Sequence, residues 1–151
     1  IKTINKFKPL KFRQEVIHQS KYLKIINDSK STTLSSTVPF LESNEKILWI
    51  LGGLFKKGDK FNLNKKYFKN LEAYIYGKDR QVFLNLFKNK IKVNLSKDLR
   101  NTLKLIPNLK DIRTKVTVLF SPSAASFDQY KNFEERGRQF NMLIKRYLPI
   151  E

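Results

Sequence analysis

The chain has 151 residues, 40% of them hydrophobic, and a formal net charge of +18 from 31 Lys and Arg against 13 Asp and Glu. Such a length and apolar content suit one globular domain with a real core and exclude a disordered polyelectrolyte. The lack of cysteine excludes disulfides and thiolate metal sites, and the longest uninterrupted apolar run, Ile47–Leu51, is far short of a membrane span. No secretory signal is visible, so a cytoplasmic setting is expected, with no membrane partner. Lysine greatly outnumbers arginine and is scattered along the chain, which reads as a solvated surface attracting anionic substrates more than as a nucleic-acid stripe.

In chain order, apolar runs predict strands at Glu15–His18, Tyr22–Asn27, Ile47–Leu51, Ala73–Tyr76, Ile91–Val93 and Val116–Phe120. The first two flank the short bend Gln19-Ser20-Lys21 and predict an antiparallel hairpin. The others alternate with helical patterns, as in a parallel sheet with crossover helices. Thr32 or Thr33 caps a helix with Leu34, Val38 and Leu41 on one face, and Pro39 inside it predicts a kink or a short helix. Lys78 to Phe87 places Val82, Phe83 and Leu86 at helical spacing. Ser96-Lys97-Asp98 caps Leu99 to Ile106, and Pro107 stops it. The last helix aligns Tyr130, Phe133, Phe140, Leu143, Ile144 and Tyr147, with Gly137 on the same face where a close approach to the sheet is expected. The fold class is therefore α/β: a Rossmann-like three-layer domain of about six strands, mostly parallel, with an N-terminal antiparallel hairpin.

In such a sheet ligands bind beyond the carboxyl ends of the strands. Three motifs fall there: Asp28 to Thr32, Gly52 to Lys56, and Ser121 to Phe127. Lys56 is a point charge beside two glycines, suited to a carboxylate or phosphate oxygen, with Lys57 one register away. Gly53-x-x-x-x-Gly58-Asp59-Lys60 nearly spells a phosphate-cradling loop, but Asp59 stands where its lysine must be, so a nucleotide P-loop is rejected. His18 is the only histidine, and neither a Ser/His/Asp constellation nor a metal-ligand cluster can be assembled.

Ser121-Pro122-Ser123-Ala124-Ala125-Ser126-Phe127-Asp128-Gln129-Tyr130-Lys131-Asn132-Phe133-Glu134-Glu135-Arg136-Gly137 closely resembles a turn in the C-terminal domain of the Mur ligase family. The match is to the branch that adds D-glutamate to UDP-N-acetylmuramoyl-L-alanine in peptidoglycan synthesis. Ile25 to Thr32 resembles that branch's "INDSKAT", Ile47 to Lys56 its strand and "GG-x-x-K", and Leu10 to Glu15 its "LPHRxE" without the proline and histidine. Four motifs in the right order span nearly the whole chain, and the "NDSK" wording separates this branch from its sisters.

The resemblance implies a three-domain, ATP- and Mg2+-dependent amide ligase whose amino-terminal and central domains lie outside residues 1–151. A chain opening on Ile1 instead of Met fits a piece of a longer protein, expected to be inactive alone. By the resemblance, D-glutamate is held by Thr32, Lys56, Ser126, Phe127 and Phe133, while Arg13, Asp28 and Lys30 face the nucleotide on the central domain. No residue here is implied to be catalytic, and the domain's part is to position D-glutamate and close over the nucleotide. Two other readings are a sister amide ligase of the folylpolyglutamate synthase kind and a basic module for nucleic acid or an acidic partner. A steep salt slope on DNA or RNA would mark the second, and turnover dependent on D-glutamate the ligase.

Overall fold

The computed structural model describes residues 10–148. Six strands form one sheet in the order β1-β2-β6-β3-β4-β5, with β1 Glu15–Gln19, β2 Leu23–Asn27, β3 Lys46–Gly52, β4 Leu71–Tyr76, β5 Lys92–Leu95 and β6 Val116–Phe120. The expected hairpin is present: β1 and β2 are antiparallel, and every other neighbouring pair is parallel. Four helices complete the layers: α1 Leu34–Leu41, α2 Arg80–Phe87, α3 Leu99–Leu105 and α4 Phe133–Tyr147.

The central strands are buried on both faces, which explains why they read as continuous apolar runs instead of alternating ones. Along β3, Ile47, Trp49 and Leu51 join the core beneath α1 and α2, while Leu48 and Ile50 join the core beneath α3 and α4. Along β6, Val116, Val118 and Phe120 face the second of these layers and Leu119 the first. This period of two generates a three-layer sandwich.

Helix starts follow side-chain chemistry. Thr33, not Thr32, caps α1 by accepting from the Ser36 N–H at 3.2 Å, and α1 stops two residues after Pro39. Asp98 caps α3, and Asn132 caps α4 by accepting from the Glu135 N–H at 2.8 Å. Two expectations shift. Val82 is exposed, because the buried stripe of α2 is Phe83 and Phe87, one turn apart. Tyr130 precedes α4, which begins at Phe133. A 3-10 turn at Lys65–Asn70 carries no periodic pattern and was not anticipated. Among the described residues no helix is long and apolar enough to cross a membrane.

Gly137 marks the expected close approach to the sheet, its carbonyl accepting from Asn27 Nδ2 at the end of β2 at 2.9 Å, and its Cα side faces the Phe12 ring. A Cβ there would meet the Phe12 ring at 2.5 Å, and Phe12 is buried with φ +63°. The Phe12 carbonyl in turn accepts from the Lys30 N–H at 2.9 Å, so the fit beneath Gly137 sets the height of the Lys30 turn. Gly137→Ala should gain about 1 kcal/mol of helix propensity but lose roughly 1–3 kcal/mol to overpacking. We expect a lower urea midpoint, partly recovered when Phe12→Leu is added. A raised midpoint in the single variant would show that the ring yields freely.

Candidate functional site

β2, β6 and β3 are neighbours, and the three motifs leave their carboxyl ends side by side. Backbone bonds tie the exits together: Asp28 N–H to Phe120 O at 2.7 Å, Gly52 N–H to Pro122 O at 3.0 Å, and a reciprocal pair between Leu54 and Ala125 at 2.9 and 3.1 Å. Gly52 and Gly53 make this approach possible. Their φ angles are +147° and +130°, and a Cβ would fall 2.1 Å from Tyr76 O and 2.3 Å from Ala125 O respectively.

Beneath the loops sits a buried hydroxyl cluster. Thr37 Oγ1 lies 2.7 Å from each of Ser31, Ser121 and Ser123 Oγ, and Ser121 donates to Asp28 Oδ2 at 2.7 Å. Trp49 Nε1 donates to Ser121 O at 2.9 Å. Asp28 Oδ1 accepts from the Gln14 N–H at 3.0 Å, which fixes the turn carrying Arg13. Burial pushes the Asp28 carboxyl above the usual carboxylate range, against the opposing pull of its Ser121 and Gln14 bonds and of Arg13.

Arg136 locks two of the three loops. Its side chain is fully buried and donates to Ser29 O at 2.6 Å, Ala124 O at 2.8 Å, Ser29 Oγ at 3.1 Å and Ser31 O at 3.4 Å. Among the described residues no carboxylate pairs with it. Burial lowers its pKa from the ordinary arginine value, while neighbouring Tyr76, Asp128 and Tyr130 oppose that. The Tyr130 hydroxyl is pushed up to about 12, chiefly by burial.

The residues expected to meet ligands stand above this base. Thr32, Lys56 and Lys57 are exposed, so the register between the two lysines stays open. Asp59 links their loops: it follows Lys56 in a turn, with Asp59 N–H to Lys56 O at 3.0 Å, and its carboxylate accepts from the Leu34 N–H two residues after Thr32. The near-P-loop aspartate thus serves the N-terminus of α1, where a negative charge is favoured. Ser126 is 3% exposed, and its carbonyl takes the Gln129 and Tyr130 N–H groups at 3.2 and 2.9 Å. Lys30 Nζ stands 5.7 Å from the centre of the half-buried Phe133 ring, so these two are brought together. Arg13 is exposed beside the Asp28 turn. Phe127 is 70% exposed and lines a 560 Å³ hollow with Leu54 of the Gly52–Lys56 loop and with Lys78, Arg80 and Lys97. Among the described residues no group of three His, Asp or Glu could hold a metal ion.

Sequence reasoning passed over Arg136 and Thr37. Arg136 was visible only as a letter in the long motif, one of 31 basic residues, and Thr37 as a polar residue within a helix.

Two measurements probe this base. Arg136→Lys keeps a charge but cannot span three carbonyls; losing two charge-assisted bonds at roughly 1.5–3 kcal/mol each should lower unfolding free energy by about 3 kcal/mol or more. A loss under about 1 kcal/mol would show that the bonds are dispensable. For Asp28, the unfolded chain ionises first as pH rises, because the folded pKa is the higher one. Stability relative to Asp28→Asn should therefore fall as pH climbs from the ordinary carboxylate pKa to the raised one. A relative stability that rises across that window would reverse the sign of the shift.

No family model matches the chain. It is 36% identical over 141 residues to the UDP-N-acetylmuramoylalanine–D-glutamate ligase of Wolbachia pipientis wMel, covering 93% of this chain and 28% of that one. It is 34% identical over 147 residues to the ligase of the same name from Hydrogenobaculum sp. (strain Y04AAS1), covering 97% and 35%. The chain thus spans about a third of the length of these curated relatives. In fold it matches UDP-N-acetylmuramate-alanine ligase MurC of Thermotoga maritima, with a TM-score of 0.62 at 15% identity over 96% of this chain and 32% of that one. MurF ligase of Thermotoga maritima, solved in complex with ADP, gives 0.51 at 15% identity over 93% and 33%. The solved structures share the fold; the 36% and 34% matches over nearly the whole chain, with the motif set above, place it in the Mur ligase family.

Proposed function

We propose that the chain is the C-terminal domain of an ATP-dependent ligase that joins D-glutamate to UDP-N-acetylmuramoyl-L-alanine in peptidoglycan synthesis. The observation that carries this reading is convergence: Asp28–Thr32, Gly52–Lys56 and Ser121–Phe127 leave three adjacent strands at one sheet edge. A dicarboxylate needs a cation and several donors, and the Lys56 ammonium, the Thr32 and Ser126 hydroxyls and nearby N–H groups offer them. Phe133 supplies an apolar wall under Lys30. Phe127 contributes through its backbone N–H, beside the Ser126 hydroxyl.

Arg13 and Lys30 are exposed cations on the same edge and suit phosphate oxygens of a nucleotide presented from another domain. Asp28 spends both carboxylate oxygens on Gln14 and Ser121, so its part there is to hold the Arg13 turn. Asp59 excludes the P-loop reading, and among the described residues no group of three His, Asp or Glu could hold Mg2+. We assign the binding of ATP and Mg2+ mainly to the central domain, and the ligase name of the relatives and the ADP in MurF support a nucleotide-using parent. This domain's residues bind and orient, which is catalysis by position.

In the full-length enzyme Lys56→Ala should cost roughly ten- to a hundredfold in kcat/KM for D-glutamate, read mainly in KM, and Ser126→Ala less. The KM for the UDP-sugar should hold in both. A normal D-glutamate constant in Lys56→Ala with a raised one in Lys57→Ala moves the register by one. Normal constants in both lysine variants would remove the pocket from this edge.

A further inference from the structure

A second cavity lies at the opposite edge of the sheet. Its volume is about 810 Å³, and it is bounded by the Ser20–Leu23 bend before β2, the 106–113 loop before β6, and the end of α4. β2 and β6 are five residues long, and the site motifs follow their far ends, so the two places are about 15 Å apart along the strands.

The floor is apolar: Leu23, Ile106 and Leu148 are each 7% exposed and belong to the core beneath α3 and α4, with Ile112 and Leu109 packed against it. The walls include Tyr22 and Tyr147. Each ring already carries a cation: Lys21 Nζ is 5.2 Å from the Tyr22 centre, and Lys104 and Arg146 are 5.7 and 5.8 Å from Tyr147. Lys110 and Arg113 are exposed on the loop, His18 and Asn108 also line the cavity, and among the described residues no carboxylate does. The nearest acid on the loop, Asp111, is exposed outside the lining.

A chamber of this size is that of a small-molecule site, with an apolar body buried and a few polar groups setting orientation. Here the charged side chains that line the cavity among the described residues, Lys21, Lys110 and Arg113, are all cationic. We propose that this cavity is a second ligand site, for a small phosphate ester with a flat apolar body. The ring rests on the Leu23, Ile106 and Leu148 floor between the tyrosines, and the phosphate meets Lys21, Lys110 and Arg113 at the rim. Bidentate pairing by Arg113 and point charges from the lysines suit such an anion. The site is independent of the D-glutamate reading, since it shares no residue with the other edge.

The test uses 1-naphthyl phosphate as probe on the 151-residue chain, with amide chemical shifts read by NMR. Saturable binding is expected, with the largest shifts at Tyr22, Ile112 and Tyr147 and little at Lys56 or Ser126. The double variant Lys110→Glu/Arg113→Glu should weaken binding by about tenfold or more with an unchanged unfolding midpoint, because both residues are exposed. Inorganic phosphate and 1-naphthol should each bind at least about tenfold more weakly than the ester, lacking the body or the charge. The proposal is overturned if shifts centre on the Lys56 edge or if the double variant binds unchanged. It is equally overturned if phosphate alone binds as well (a bare cationic patch) or naphthol does (an apolar hole). A chain ending at Leu148 that binds about tenfold more tightly would make residues 149–151 the occupant, which also overturns it.

Discussion

A guanidinium sealed from water, with no carboxylate in ion-pair contact among the described residues, stays charged only if oxygen atoms surround it. Arg136 solves this with the carbonyls of Ser29, Ser31 and Ala124 and the Ser29 hydroxyl. Desolvating such a cation costs several kcal/mol, and removing its partners strands a buried charge. The loops after β2 and β6 must therefore present those oxygens at one point in space. That requirement fixes the two loops to each other and to the first turns of α4. Everything at this edge of the sheet inherits its position from it.

The site consequently divides by burial. The groups that hold the loops, namely Asn27, Asp28, Ser31, Thr37, Ser121, Ser123 and Arg136, are all 6% exposed or less. Thr32, Lys56, Lys30 and Arg13 are exposed. Ser126, at 3%, stands at the boundary. A base of fully bonded polar groups with free cations and hydroxyls above it is what positional catalysis needs, since a loosely held first contact loses rate steeply with displacement. The hydroxyl cluster also lets a proton direction be shared: Thr37 can donate to only one of its three serine neighbours, so the others must donate to it or elsewhere.

The sheet was readable from the chain because buried parallel strands are short apolar runs bounded by polar turns. Val116–Phe120 is reproduced to the residue, and Ile47–Leu51 grows by one at each end. Helix ends were readable where Asp98 and a threonine offered cap chemistry. Val82 was misplaced because a three-residue apolar cluster at 82, 83 and 86 does not say which residue turns inward, whereas the 83/87 pair does. The site motifs were readable by resemblance, and their meeting at one edge by topology. The lock was not. Arg136 touches Ser29 across 107 positions, and nothing local distinguishes a buried arginine from a solvated one. Phe127 shows the complement: the motif places it beside Ser126, but its 70% exposure was not legible in the sequence.

Charge at this edge follows from the same bookkeeping of hydrogen bonds. Of the 13 acidic residues, Asp28, Asp59, Asp79, Asp98, Asp128 and Glu135 each accept from a backbone N–H. They serve turns and helix starts, and only Glu72 and Glu45 form ion pairs among the described residues, with Lys46, Lys92 and Lys115. Most of the 31 cations are therefore uncompensated nearby, and the whole surface draws anions. Such a field fades within about 8–10 Å at physiological salt and cannot tell one anion from another. Discrimination must come from short-range geometry, which means from loops that Arg136 and the hydroxyl cluster hold still. Under the proposed function, a positive charge of +18 supplies the attraction, and the buried polar base holds the loops on which selectivity depends.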